Sequence, residues 1–325
     1  MAPGRTVYNR GIMAEFSGCV ALTGATGFVG RHILSSLLEA NVRVRALVRN
    51  PRRLTIKDAR VEVIDGNLGE VTSLARLVEG ATAVVHVVGI IMESPKWGQT
   101  FQRVHFEGTR NLIEAARRAS IQRWIHMSAL GSRPDAVSDY HRSKWAAEQA
   151  VRESGLTNTI FRPSIIHGPD GEFMRMVKQF ACRRLAGVLP WMPYFGSGLL
   201  GRGGAGRLQP VWVEDVARCF VASLTNTASN NEIYPMGGPD AYTWPQFFEI
   251  CKRHLPRARP ANRPKAVPVW YARLIAGKPG VPFNRDQVIM SQEDSVCQIA
   301  KVKSDFGFTL APFEETFADY AAQIE

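Results

Sequence analysis

Long apolar runs are missing from this 325-residue chain; the longest, AVVHVVGIIM at 83–92, is interrupted by a histidine. A helix needs ~20 apolar residues to span a bilayer, so no transmembrane segment is expected. Paired cysteines are missing too. Cys19, Cys182, Cys219, Cys251 and Cys297 are scattered, with no Cys-x-x-Cys and no histidine cluster at ligand spacing. This argues against a zinc site or a disulfide framework, so no metal is expected, and a reducing, cytoplasmic compartment fits. The first dozen residues hold Arg5 and Arg10 but lack the apolar core of a secretory signal. Residues 1–17 are read as an unstructured extension, with translation from Met13 as an alternative start. Acids are in short supply: 29 Asp and Glu face 40 Lys and Arg, a net charge of +11. That favours anionic partners such as phosphorylated ligands, acidic lipid or acidic proteins. The basic residues are spread along the chain without a helix-turn-helix, RNA-binding or zinc-finger pattern, so nucleic acid is not an expected partner. Repeats and low-complexity tracts are also absent.

What the chain does contain is alternation. From Cys19 the runs CVALT, VRVRALV, VEVI, AVVHVV, RWIHMS and NTIFRP read as strands. Helices are expected between them over 31–40, 71–79, 101–119 and 138–154. Such alternation predicts an α/β fold, a Rossmann-type doubly wound parallel sheet covered on both faces. Ile33, Leu34, Leu37 and Leu38 fall on one helical stripe, as packing on a sheet requires. Beyond residue 186 the texture changes, and the Pro- and Gly-rich stretch 187–206 reads as irregular. The expected organisation is therefore a dinucleotide-binding domain over 18–186. A smaller C-terminal substrate module over 187–325 is interleaved with the end of the sheet.

In VALTGATGFVGRHIL a strand runs into Gly24, Gly27 follows, and Gly30 lies in the first helical turn. Glycines there allow a tight turn and let backbone N–H groups approach a pyrophosphate at the positive end of a helix. A nicotinamide dinucleotide is the ligand this predicts. The second strand ends in LVRNPRR instead of an acid. An acid would hold the ribose hydroxyls of NAD, whereas Arg49 can grip the 2′-phosphate of NADP, making NADPH the expected cofactor and NAD the lesser one.

Tyr140 and Lys144 in SDYHRSKWAAEQ lie four residues apart on a predicted helix and share a face. A tyrosine acid/base beside an ammonium suits proton transfer to an oxygen. TGATGFVG, this pair and RPSIIHGP at 162–169 together resemble the extended and atypical branches of the short-chain dehydrogenase/reductase superfamily, the epimerase/dehydratase-like proteins among them, over about residues 18–320. HVVGII, HFEGTRNLIEAARRA, RWIHMSALGS, LQPVWVEDVA and GGPDAYTWPQFFEI are most similar to the group of the NADPH-binding accessory subunit of respiratory complex I and its bacterial relatives.

The resemblance implies roles residue by residue. Tyr140 would be the acid/base, Lys144 would bind the nicotinamide ribose and lower the tyrosine pKa, and Ser128 would orient a substrate oxygen. Gly24, Thr26, Gly27, Phe28, Val29 and Gly30 would hold the pyrophosphate, with Asn67 and Leu68 flanking the adenine. His86, Val87, Val88 and Gly89 would meet the adenosine ribose, and Pro163, Ser164 and Ile166 the nicotinamide. Arg207, Gln209 and Asp215 would lie near the substrate. Three features depart from the pattern: Asn67 replaces an acid, His105 stands where relatives place a relay asparagine, and only eleven residues separate Ser128 from Tyr140.

Two functions are compatible with these residues: an NADP-dependent oxidoreductase or epimerase/dehydratase acting on a carbonyl or alcohol, and a non-catalytic NADPH-holding accessory or assembly subunit of a respiratory complex or a redox sensor. Peripheral contact with the inner membrane or acidic lipid belongs to the second. His167, on the loop after the sixth strand, divides between a ligand role and a turn role. VPVWYARLIAGKPGVPF is read as a buried helix, with an amphipathic surface for membrane or partner as the alternative.

Overall fold

Seven parallel strands form the floor of the molecule in a computed structural model that describes residues 16–182, 191–201, 204–278, 280–281 and 283–324. They are β1 (Cys19–Thr23), β2 (Arg43–Val48), β3 (Val61–Asp65), β4 (Ala83–His86), β5 (Arg123–Met127), β6 (Thr157–Pro163) and, after three short strands, β10 (Glu232–Met236). The short strands are β7 (Ile166–His167), β8 (Trp191–Gly196) and β9 (Val211–Trp212), and β11 (Arg263–Pro268) comes last. The sheet runs β3-β2-β1-β4-β5-β6-β10, so strand order reverses between β1 and β4. Open α/β sheets bind ligands at the carboxyl ends of the strands beside such a reversal.

Both faces are covered, as the apolar runs require. On one lie α1 (Phe28–Glu39), α6 (Val213–Ala222) and α10 (Ala300–Phe306). On the other lie α2 (Val71–Val78), α3 (Gly108–Arg118) and α4 (Asp139–Arg152). Ile33, Leu34 and Leu37 of α1 are fully buried, and truncating any one to alanine would cost about 2–5 kcal/mol. Helix α4 starts cleanly because the Ser138 hydroxyl accepts from His141 N–H at 3.2 Å and Asp139 opposes the dipole of the first turn.

A third core joins α5 (Glu172–Cys182), β8, α7 (Trp244–His254) and α11 (Phe313–Tyr320) through Val177, Met192, Phe247, Phe313 and Phe317. Helix α5 precedes residue 186 yet packs in this smaller core. By contrast, α6, β10 and α10 follow that residue and pack on the large sheet. The small module is thus threaded through the end of the large one.

The irregular reading of 187–206 needs correction. Although residues 187–190 and 202–203 lie outside the described residues, Trp191–Gly196 forms a strand paired in parallel with Arg263–Pro268. Proline masks both strands in the sequence. A two-stranded pair tolerates it, because the imide nitrogens fall on outward edges. Between β11 and α10 come α8 (Val269–Ile275) and α9 (Arg285–Met290). Most of the extension expected over residues 1–17 lies outside the described residues.

Candidate active site

The glycine turn joins β1 to α1 at the reversal. Gly24 holds φ at +84°, a conformation L side chains rarely adopt, and a Cβ there would press on Val87. A Cβ on Gly30 would overlap the Gly24 carbonyl, so only glycine lets the helix pack this tightly on the turn. Gly27 caps α1 without a side-chain hydrogen bond, and the first turn contains no acid. The leading N–H groups and the positive end of the helix dipole therefore remain available to an anion. The Phe28 ring covers Gly168 and Gly171, where a Cβ would meet it at about 3.0 and 3.2 Å, and so links α1 to the loop after β7.

Arg49 follows β2 in the open, and no ion pair among the described residues engages it. The Asn50 side-chain Oδ1 accepts from Arg52 N–H at 3.1 Å and fixes a short 3₁₀ turn bearing exposed Arg52 and Arg53. After β3, Asn67 Oδ1 accepts from Gly69 N–H at 2.9 Å, and the Leu68 carbonyl accepts from Asn111 at 2.9 Å. Both expected adenine neighbours are set in one fixed turn.

Tyr140 and Lys144 lie on consecutive turns of α4, beside the carboxyl ends of β4 and β5. Lys144 is buried, and its ammonium donates to the Met127 carbonyl at 3.0 Å. Above it is exposed Gly89, where a Cβ would come within 3.1 Å of Nζ. Burial pushes the Lys144 pKa down to about 8. Tyr140 is half-buried among Phe101, His105 and His141, with ring centroids 5.3–5.8 Å away. Burial raises its pKa to about 12, against the lowering expected from Lys144, whose ammonium is turned to the Met127 carbonyl. Ser128 is buried, and its hydroxyl donates to Ser132 at 3.2 Å.

His105 sits on a π-helical segment, Gln102–Glu107, that leads into α3; such segments often shape functional sites. Its hydrogen bonds fix one tautomer. Ile90 N–H donates to Nε2 at 3.0 Å, so Nδ1 carries the proton and donates to Ser143 Oγ at 2.8 Å. Ser143 in turn donates to the Tyr140 carbonyl at 2.8 Å. Burial and then the Lys144 charge hold the His105 pKa near 2. A neutral ring with both nitrogens engaged braces α4 and is a poor proton relay.

The His86 side chain is likewise an interior brace. Thr109 donates to the His105 carbonyl, so His86 Nε2–H donates to Thr109 at 3.0 Å and Nδ1 accepts from Thr23 at 2.6 Å. The ring stacks on buried His126 at 5.5 Å, leaving only backbone for a ligand. The side chains of Gln209 and Asp215 are engaged within the protein in the same way. Gln209 donates to the Gly238 carbonyl at 2.6 Å and accepts from Cys297 N–H at 2.7 Å, while buried Asp215 accepts from Ala311 N–H at 2.7 Å. Gln209 ties two loops together, and Asp215 fixes α6 to the segment before α11. Arg207 is exposed, its backbone N–H bonded to Asp294.

Pro163 ends β6, Ser164 bonds to Ser295 at 2.8 Å, and Ile166 packs half-buried on the sheet core. His167 is fully buried in an aromatic cluster, with Tyr320 hydroxyl at 3.0 Å and the Phe313 ring at 4.8 Å. It is a core residue. A cavity of about 550 Å³ is lined by Gly131, Arg133, Gly204, Gly206, Gln292 and Glu293. Gly131 packs on the His141 ring, and Arg133 grips Glu293 at 2.7 and 3.0 Å across the cavity.

The family model that matches residues 24–179 is described as NAD(P)H-binding. A ceramide reductase of Caulobacter vibrioides is 35% identical over 244 residues, which make up 75% of this chain and 72% of the relative. The chain belongs to the NAD(P)-binding short-chain dehydrogenase/reductase superfamily. A further relative of this short-chain dehydrogenase/reductase is the mitochondrial NADH dehydrogenase (ubiquinone) 1 alpha subcomplex subunit 9 of Arabidopsis thaliana. It is 30% identical over 253 residues, 73% of this chain but only 58% of the subunit's length. The Bordetella bronchiseptica enzyme WbmH, solved with NAD+, shares the fold, with a TM-score of 0.68 at 19% identity over 94% of this chain and 97% of WbmH.

The dinucleotide of this superfamily fits the residues present. The Gly24–Gly30 cradle closes without a side-chain cap, and buried Lys144 lies beneath open Gly89. Sequence reasoning missed Ser143, Thr109 and Thr23. Ser143 precedes Lys144 and lies one turn after Tyr140, and Thr109 lies one turn after His105; that spacing was the available signal.

Proposed function

We propose that this chain is an NADPH-dependent reductase that converts a carbonyl to an alcohol with Tyr140 as general acid. The observation that carries this reading is the Tyr140–Lys144 pair, with Lys144 buried beneath Gly89 and Ser128 nearby. When bound, the cofactor supplies a hydride to the carbonyl carbon. With its pKa near 12, the Tyr140 phenol keeps its proton at neutral pH and donates it to the oxygen that gains charge. Ser128 orients that oxygen, and the Lys144 ammonium, still largely charged at neutral pH, would bind the nicotinamide ribose. Because His105 is locked, Tyr140 recovers its proton from solvent and not through that ring.

Arg49, backed by Arg52 and Arg53, supports NADPH over NADH through charge-assisted bonds to the 2′-phosphate. The reductase named among the relatives supports the reaction class. The relative named as an NADH dehydrogenase subunit supports a place at the periphery of a membrane. The test is loss of reduced-nicotinamide absorbance when NADPH meets a panel of ketones and aldehydes, with Tyr140→Phe as control. Turnover in the parent and its collapse in the variant support the reading.

A second reading, a subunit that keeps NADPH without spending it, is favoured by the raised Tyr140 pKa and that same relative. It predicts NADPH that co-purifies, resists exchange and is oxidised by no member of the panel. Bound cofactor would then stabilise the fold by mass action alone.

A further inference from the structure

We infer that the face formed by α8 and the loop after β8 docks on an anionic lipid bilayer. Among the described residues eleven large apolar side chains are exposed, and five of them meet here: Leu199, Leu200, Trp270, Tyr271 and Leu274. They form one surface. Trp270 Nε1 donates to the Leu199 carbonyl at 3.0 Å, the Trp270 and Tyr271 rings lie 5.8 Å apart, and Leu274 follows Trp270 by one turn. Leu199 is 79% exposed, Leu274 62% and Trp270 55%, while Ala272 is fully buried and anchors α8 to the body. Single exposed leucines are ordinary on protein surfaces, but a cluster with two aromatics marks a contact. The expectation of a buried helix in this segment is thereby overturned. Its seven residues are too few to bury more than one side.

Charge decides the occupant. The two segments that pair as β8 and β11 are acid-free over long distances: residues 173–213 and 250–285 contain no Asp or Glu and fifteen of the chain's 40 Lys and Arg. The other 25 basic residues face all 29 acids, so the rest of the chain is net negative. The whole positive excess resides in the unit that carries the apolar face, and Arg273 and Lys278 flank that face, both exposed. A second copy would bring two basic units together and repel. A bilayer with anionic headgroups satisfies both features: Trp and Tyr settle at headgroup depth, Leu side chains reach below, and Lys and Arg meet phosphates.

The loop bearing Leu199 and Leu200 is closed at its base, where Ser197 donates to the Gly204 carbonyl at 2.9 Å, and Gly204 lines the 550 Å³ cavity. Docking therefore sets the cavity rim at the lipid surface.

The test is co-sedimentation of the full chain with phosphatidylcholine vesicles, with and without about one-third phosphatidylglycerol. Pelleting is expected with the anionic vesicles at low salt and should fall steeply as salt rises. The double variant Trp270→Ser, Leu274→Ser should bind at least about tenfold more weakly, and Arg273→Gln with Lys278→Gln about fivefold more weakly per charge. NADPH affinity, measured alongside, should stay unchanged and report an intact fold. No pelleting on anionic vesicles at low salt would overturn the inference, as would undiminished pelleting of the double variant. A chain that pellets but oxidises no NADPH keeps this inference and loses the reductase, and the converse outcome does the reverse.

Discussion

The two ends of the glycine cleft hold positive charge in opposite ways. Toward β2, Arg49, Arg52 and Arg53 stand in solvent on a hydrogen-bonded turn. Toward β5, Lys144, His86, His105 and His126 are buried; the lysine pKa is pushed down to about 8 and the histidines are kept neutral. An exposed cation costs little to keep and waits for an anion. A buried one must be hydrogen-bonded or discharged, and it then fixes geometry. The open end therefore reads which ligand binds, and the closed end sets what happens to it.

Substitutions can break this contrast. Tyr140→Phe removes the acid from the closed end and should lower turnover by about 10²–10⁴-fold while leaving NADPH affinity nearly intact. Next in size, Gly30→Ala forces a methyl group onto the Gly24 carbonyl between the two ends. It should cost about 1–3 kcal/mol of stability in denaturant unfolding and weaken NADPH and NADH alike. Arg49→Ala acts on the open end alone. The NADPH-over-NADH preference, measured by fluorescence titration, should fall about tenfold with kcat unchanged.

The smallest effect lies outside both ends, at His32 of α1. Burial opposes its charge, but N–H donation from Nδ1 to Glu214 at 2.6 Å and from Nε2 to Asp170 at 3.0 Å outweighs it and holds the pKa near 9. A folded pKa above the ordinary 6.5 means the stabilisation is full below about pH 6.5 and is lost as pH rises through about 9. With both carboxylates partly in solvent, about 1 kcal/mol is expected. His32→Gln should remove that pH dependence from the thermal midpoint and leave turnover at neutral pH alone.

Much of the fold was legible because its signals are local. CVALT and AVVHVV read as buried strands, and the Ile33–Leu34–Leu37 stripe placed α1 on the sheet. The open end was legible too: an arginine in place of an acid after β2 is visible in one line of sequence. The closed end was legible only as the helical spacing of Tyr140 and Lys144. The partners that set its chemistry come from afar, with Ser143 held by a residue 38 positions earlier and His86 by one 63 positions away. The partners of Gln209 and Asp215 were hidden for the same reason, since each side chain is satisfied by backbone from a distant loop. Proline hid β8 and β11, and the lack of any polar side in VWYARLI hid which side of α8 faces out.

The most direct test of the account is to measure NADPH affinity and single-turnover oxidation on the same preparations of the parent and Tyr140→Phe, with a carbonyl that the parent reduces. The account predicts affinities within about twofold and a rate lower by at least about 10²-fold in the variant. Equal rates would contradict it, for the closed end would then hold the cofactor without acting on a substrate.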